Sequence, residues 1–219
     1  MRFTPIIAII LFIFASTAQA DYYSQERNYR VSVTNITKGL QFTPLLAATH
    51  KRSVAFFEVG DLSSPELALL AEGGDITPLN DLLSAIPEKV ATTTSTAGLL
   101  APGETAEFDI TSRRGFPVFS IAAMLLPTND SFLALNKVRL PRFGSVTYYA
   151  KGYDAGSEPN DELCANIPGP TCGGSGSSPE AGGEGYVFPS QGIHGEADLS
   201  AASYDWRGAV AKITIYRVK

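Results

Sequence analysis

The stretch Phe116–Leu140, FPVFSIAAMLLPTNDSFLALNKVRL, decides the fold. Two apolar runs, Val118 to Leu126 and Phe132 to Leu140, flank Pro127-Thr128-Asn129-Asp130-Ser131. Proline fixes φ, asparagine and aspartate tolerate left-handed backbone, and aspartate and serine side chains cap local backbone groups, so the intervening segment reads as a turn. The first run is apolar on both faces and β-rich at its start, as a central strand would be. Ala122 to Leu126 would also suit a buried helix. The turn residues are of the kind that join two strands, which favours a hairpin. That hairpin presents Asp130 and the Asn129 amide at one end of a packed sheet. A carboxylate on such a corner can cap the turn or ligate a metal.

Working outward, Tyr29 to Ile36 alternates, with Tyr29, Val31, Val33 and Asn35 on one side. Thr105 to Thr111 alternates through Ala106, Phe108 and Ile110, and Ala209 to Val218 through Ala209, Ala211, Ile213 and Ile215. Each is a half-buried strand. Ser145 to Lys151 is a strand of β-branched and aromatic residues. Val54 to Val59 is a strand or a buried apolar segment. Two short helices interrupt this series. Ser63 or Ser64 caps the first, with Pro65 in its first turn and Gly73 after its last. Thr77-Pro78 opens the second, Leu79 to Ile86, and Pro87 stops it. Both read as a cover over one end or edge of the sheet. Ala91 to Gly98 is expected to be a loop, and Arg113-Arg114 a solvated corner rather than an anion site. The sum is an all-β fold, an antiparallel β-sandwich with two short inserted helices.

Residues 1–20 have the pattern of a signal peptide: Met1-Arg2, an apolar core from Ile6 to Phe14, and Ala18-Gln19-Ala20. The apolar core is too short to span a bilayer. Residues 21–219 then form a single exported domain, secreted or periplasmic. A formal charge of −5 argues against nucleic acid or an anionic membrane surface as the main partner. Cys164 and Cys172 most economically pair in an exported chain; two free thiols, or a bridge to another chain, are the alternatives. From Tyr153 to Trp206 glycine, serine and proline become dense, as in a long loop wrapped on the sandwich. Its start, Asp154 to Glu162, concentrates oxygen ligands or is simply a solvated acidic loop.

The run from Pro127 to Phe132, followed by Ala134-Leu135-Asn136, resembles the spondin N-terminal domain, the module at the front of F-spondin and mindin and a stand-alone secreted protein in bacteria. Phe42-Thr43-Pro44 with Ala48-Thr49-His50, then Tyr153-Asp154-Ala155-Gly156, then the closing strand Val210 to Tyr216, agree in order. The resemblance implies an antiparallel sandwich similar to a C2 domain, and a calcium (Ca2+) site at Asp130 and Asn136, completed by Asp154 or Glu158. Many family members carry aspartate at the position of Asn136, so this chain would offer one charge fewer. An ion pair from Lys137 or Arg139 to Asp130 is the competing arrangement. His50, a residue of the Ala48-Thr49-His50 motif, and Asn129, on the hairpin turn, are further candidate binding residues.

Catalytic patterns are thin. No G-x-S-x-G elbow occurs, and His50 and His194 are the only imidazoles, neither at zinc-ligand spacing from another. The favoured function is a secreted, non-catalytic binding and adhesion module that contacts an extracellular glycan, matrix component or protein. The alternative is an extracellular hydrolase using loop carboxylates; acids converging on one metal, or lining a cleft as a separated pair, distinguish the two.

Overall fold

The computed structural model describes residues 26–178 and 182–218. The expected signal peptide, residues 1–20, lies outside them. The strands are β1 (Arg27–Asn35), β2 (Gln41–Phe42), β3 (Leu46–His50), β4 (Val90–Ser95), β5 (Thr105–Ser112), β6 (Val118–Leu126), β7 (Ser131–Arg139), β8 (Ser145–Asp154), β9 (Phe188–Pro189) and β10 (Ala209–Arg217). Helices α1 (Pro65–Gly73) and α2 (Thr77–Ser84) lie between β3 and β4, and a short α3 (Ala201–Tyr204) precedes β10.

The order across the sheet is β4-β3-β6-β7-β8-β10-β1-β5, with β2 on β6 and β9 on β8; all these pairings are antiparallel. The two outermost strands approach each other: Thr92 and Thr111 hydroxyls are 2.8 Å apart, and from β3, next to β4, Thr49 Oγ1 donates to the Thr111 carbonyl at 2.7 Å. One curled sheet thus makes both layers of the sandwich and nearly closes on itself.

The lack of alternation in β6 has a physical cause. All of its residues are buried because apolar layers lie on both sides. Phe119, Ile121, Ala123 and Leu125 enter the core between the sheet halves with Val31, Val33, Ile213 and Ile215. On the other face Ala122 packs with Leu46, Leu67, Leu70 and Phe132 beneath the helices. The helices therefore cover a face of the sheet, not an end or edge as the sequence suggested. The Ser64 cap is read correctly, since Ser64 Oγ accepts from the Leu67 amide at 3.2 Å; the glycine that closes α1 is Gly74, at φ 69°, while Gly73 is its last helical residue, and α2 spans Thr77–Ser84 with no side-chain cap.

One expectation changes and one open alternative is resolved. Residues 91–98 are not all loop, since Val90–Ser95 pairs with β3; β-branched threonines suit a half-buried pleated surface. Of the two readings of Val54 to Val59, the buried segment holds from Val54 to Phe57 and the strand does not form, while Glu58 and Val59 are exposed: Phe57 meets Phe132 edge-on at 5.2 Å and 87°. Cys164 and Cys172 are bonded, with Cα atoms 4.7 Å apart. Around them the long loop builds a small core of Ile167, Ile193 and Leu199 against Trp206.

Phe132 is fully buried in the second core, so Phe132→Ala is expected to cost about 3–5 kcal/mol. Phe143→Ala, at an 89 % exposed position, should change stability by less than about 0.5 kcal/mol. Denaturant midpoints of the two variants check both.

Candidate functional site

Strand register brings the acids of two distant segments together. Ser131 pairs with Asp154 at the start of β7 and the end of β8, so Asp130 is set beside Asp154, and the Ala155 amide donates to the Asp130 carbonyl at 3.2 Å. The chain then turns sharply. The Gly156 amide donates to Asp154 Oδ1 at 2.8 Å. At φ +65°, a Cβ on Gly156 would lie 2.3 Å from the Tyr186 carbonyl oxygen, so only glycine fits. The turn sends Ser157 and Glu158 back over the hairpin. Asp130 Oδ2 accepts from the Ser157 amide (2.8 Å), the Ser157 hydroxyl (3.2 Å) and the Glu158 amide (3.1 Å).

Asp130, Asp154 and Glu158 are all buried, none more than 2 % exposed. Asp130 Oδ1 and both carboxylate oxygens of Glu158 make no hydrogen bond of good geometry among the described residues. No ion pair there reaches the three acids either. Burial disfavours the charged form, and like charges add to that. Burial, and then the charge of Asp130, pushes Asp154 up to about 8. Burial, and then Glu72, pushes Glu158 up to about 7. Burial raises Asp130 as well, against the Glu158 and Ser157 amides that favour its ionised form. Asp154 accepts from Asn160 Nδ2 at 2.9 Å as well as from the Gly156 amide, which opposes its rise only in part.

Asn136 does not belong to this group. It lies six residues further along β7, roughly 20 Å away at the usual strand rise. Its Oδ1 accepts from the Phe56 amide at 3.1 Å and its Nδ2 donates to the Phe57 carbonyl at 2.6 Å. The amide thereby pins the buried 54–57 segment to the sheet. His50 is in the same neighbourhood, fully buried, with Nδ1 at 2.9 Å from the Lys51 carbonyl and Nε2 at 2.8 Å from Ser120 Oγ. Nδ1 must donate to that carbonyl, which leaves Nε2 to accept. Neither residue presents a free polar group to a partner. The competing ion pair to Asp130 is not made: Lys137 pairs with Glu58, and Arg139 closes the opposite end of β7.

Asn129 is spent on the fold too. Its Nδ2 donates to Asp161 Oδ1 at 2.9 Å, and its Oδ1 accepts from the Glu162 amide at 3.2 Å. Glu162, which the sequence presents only as one acid of a polar loop, is a buried anchor. Its carboxylate accepts from the amides of His194, Gly195 (2.8 Å) and Glu196 (2.9 Å). Nothing in the local sequence marks it, because its donors come from more than thirty residues away.

The donor chemistry is that of a hard cation, all oxygen with three orphaned atoms. Among the described residues, however, no three His, Cys, Asp or Glu side chains converge closely enough to hold a metal by themselves. A cation bound between two of Asp130, Asp154 and Glu158 would need backbone oxygens or water to complete its shell.

The Spondin_N family model matches residues 23–159, more than half of the chain, which therefore belongs to the spondin N-terminal domain family. The match includes Asp130, Asp154 and Glu158 and ends one residue later, so β10 and most of the long loop lie beyond it. Comparison with curated proteins gave no match. No helix among the described residues is long and apolar enough to cross a membrane.

In calcium-free buffer the acids give stability a definite pH dependence. With Asp154 near 8 and Glu158 near 7, against about 4 for free carboxyls, the folded state holds more protons than the unfolded one in that window. The stability that these two acids contribute should be full below about pH 4 and be lost as the pH rises towards about 8. Asp154→Asn should flatten that fall, as read by melting temperature against pH in chelator.

Proposed function

We propose that this chain is an exported, non-catalytic binding module. Its acidic end takes a calcium ion at Asp130, Asp154 and Glu158, and the adjoining loops contact an extracellular glycan, matrix component or protein. The observation that carries the reading is the set of orphaned, buried oxygens on Asp130 and Glu158 beside Asp154. Burying like charges is costly unless a counter-charge or protons compensate, and a divalent cation would do both jobs of neutralising and coordinating. Such an ion would couple the hairpin turn to the long loop and fix the surface those loops present.

The hydrolase reading finds less support. A polymer hydrolase needs acids that line an accessible cleft, whereas these carboxylates are enclosed by the Gly156 turn and the hairpin.

Saturating calcium is expected to raise the melting temperature of the mature protein relative to chelator, by the binding linkage RT ln(1 + [L]/Kd). Asp130→Ala should abolish that gain. Asp130→Asn, which removes a repelling charge while keeping the shape, should lose the gain yet melt no lower than wild type in chelator at pH 8. Equal melting of wild type with calcium and with chelator would end the calcium reading.

Restoring an aspartate at Asn136 provides an independent check. Because the Asn136 amide is tied to Phe56 and Phe57, Asn136→Asp should leave the calcium response unchanged. It should also destabilise the fold by about 1–3 kcal/mol, since a carboxylate would face the Phe57 carbonyl without a donor.

A further inference from the structure

The formal charge of −5 averages two unlike ends of the barrel. The end opposite Asp130, roughly 30 Å away along nine-residue strands, gathers cations from every loop that reaches it. Lys51 follows β3, Lys89 precedes β4, Arg113 follows β5, Arg139 ends β7, Arg142 sits in the β7–β8 turn and Arg217 ends β10. Backbone and ring contacts join them into one rim. The Lys51 amide donates to the Lys89 carbonyl at 2.8 Å. The Arg113 guanidinium donates to the Pro87 carbonyl at 2.7 Å and stands 4.5 Å from the centre of the Phe116 ring, with Lys51 Nζ 5.5 Å from the same ring. The Leu140 amide donates to the Pro117 carbonyl at 3.0 Å, and the Arg217 amide to the Gly144 carbonyl at 2.8 Å.

Among the described residues none of these cations forms an ion pair with an acid; Glu88 adjoins Lys89, Asp109 near Arg113 pairs with Arg30, and Glu26 precedes β1 at this same end. At the tip of Pro141-Arg142-Phe143-Gly144, Phe143 is 89 % exposed, more than any other large hydrophobic side chain among the described residues.

We infer that this end docks on an anionic phospholipid surface, with Phe143 entering the bilayer interface and the rim cations meeting the headgroup phosphates. An aromatic ring at a turn apex, ringed by basic side chains, matches the two requirements of peripheral attachment: apolar insertion, and attraction to negative headgroups. The geometry favours a surface over a linear polyanion. The aromatic is exposed at a turn apex, whereas two clefts among the described residues lie elsewhere, one between β7 and β8 and one between β4 and β5.

Cosedimentation of the mature protein with vesicles, in chelator so that the acidic end takes no part, tests this. Vesicles of phosphatidylglycerol with phosphatidylcholine should bind the protein, and vesicles of phosphatidylcholine alone should not. Raising the salt should release it. Arg139→Ala and Arg142→Ala should each weaken binding about fivefold, and Phe143→Ser about tenfold, with melting temperatures unchanged. No binding to the anionic vesicles, or binding indifferent to Phe143→Ser, would overturn the inference. Binding to soluble dextran sulfate but not to vesicles would reassign the rim to a soluble polyanion and overturn it equally.

Discussion

The pairing of Ser131 with Asp154 is the constraint on which the acidic end depends. It forces Asp130 and Asp154 into one buried corner, and the Gly156 turn adds Glu158. Neutralisation by protons or by a cation is then required, since several uncompensated carboxylates would not survive burial. The same constraint organises the long loop. Asp130, Asp154 and Glu162 draw backbone amides onto themselves, and Asn129 bridges to Asp161 and Glu162. A glycine-rich segment with few apolar residues is thereby ordered by carboxylates accepting amides, with the disulfide and a small apolar cluster in support.

The hairpin of β6 and β7 transmits this order through the molecule. Its two faces serve two cores, one between the halves of the sheet and one beneath α1 and α2. Its turn carries Asp130, and its far end reaches the basic rim. A rigid, doubly buried element therefore separates two surfaces of opposite charge. Calcium at one end and an anionic bilayer at the other would act on different loops, so the two attachments are physically independent.

Much of the fold was legible because strands with one wet face alternate: Tyr29, Val31 and Val33, or Ile213 and Ile215, read directly as inward residues. The hairpin was legible from its turn chemistry, and α1 from Ser64 and Pro65, with its end placed one residue early, at Gly73 instead of Gly74. The helices' position was not, because a strand apolar on both faces does not say what covers each face. β4 was hidden because threonine suits loops and edge strands alike. Of the site, Asp130, Asp154 and Glu158 were named from sequence; all three are buried at one end of the sheet, without three carboxylates converging on one metal position among the described residues. Asn136 was misplaced, since its spacing from Asp130 spans most of a strand and its amide serves the 54–59 segment. Net charge is a sum and carries no information about which end of a barrel each residue occupies.

The central claim is that the buried carboxylates exchange protons for a cation. Adding calcium to the mature protein near pH 7 in very weak buffer measures this directly, because ligands must deprotonate to bind metal. The account predicts proton release that accompanies calcium uptake, is larger at pH 6 than at pH 9, and is diminished in Asp154→Asn. Calcium uptake with no proton release at any of these pH values, or no uptake at all, would contradict it.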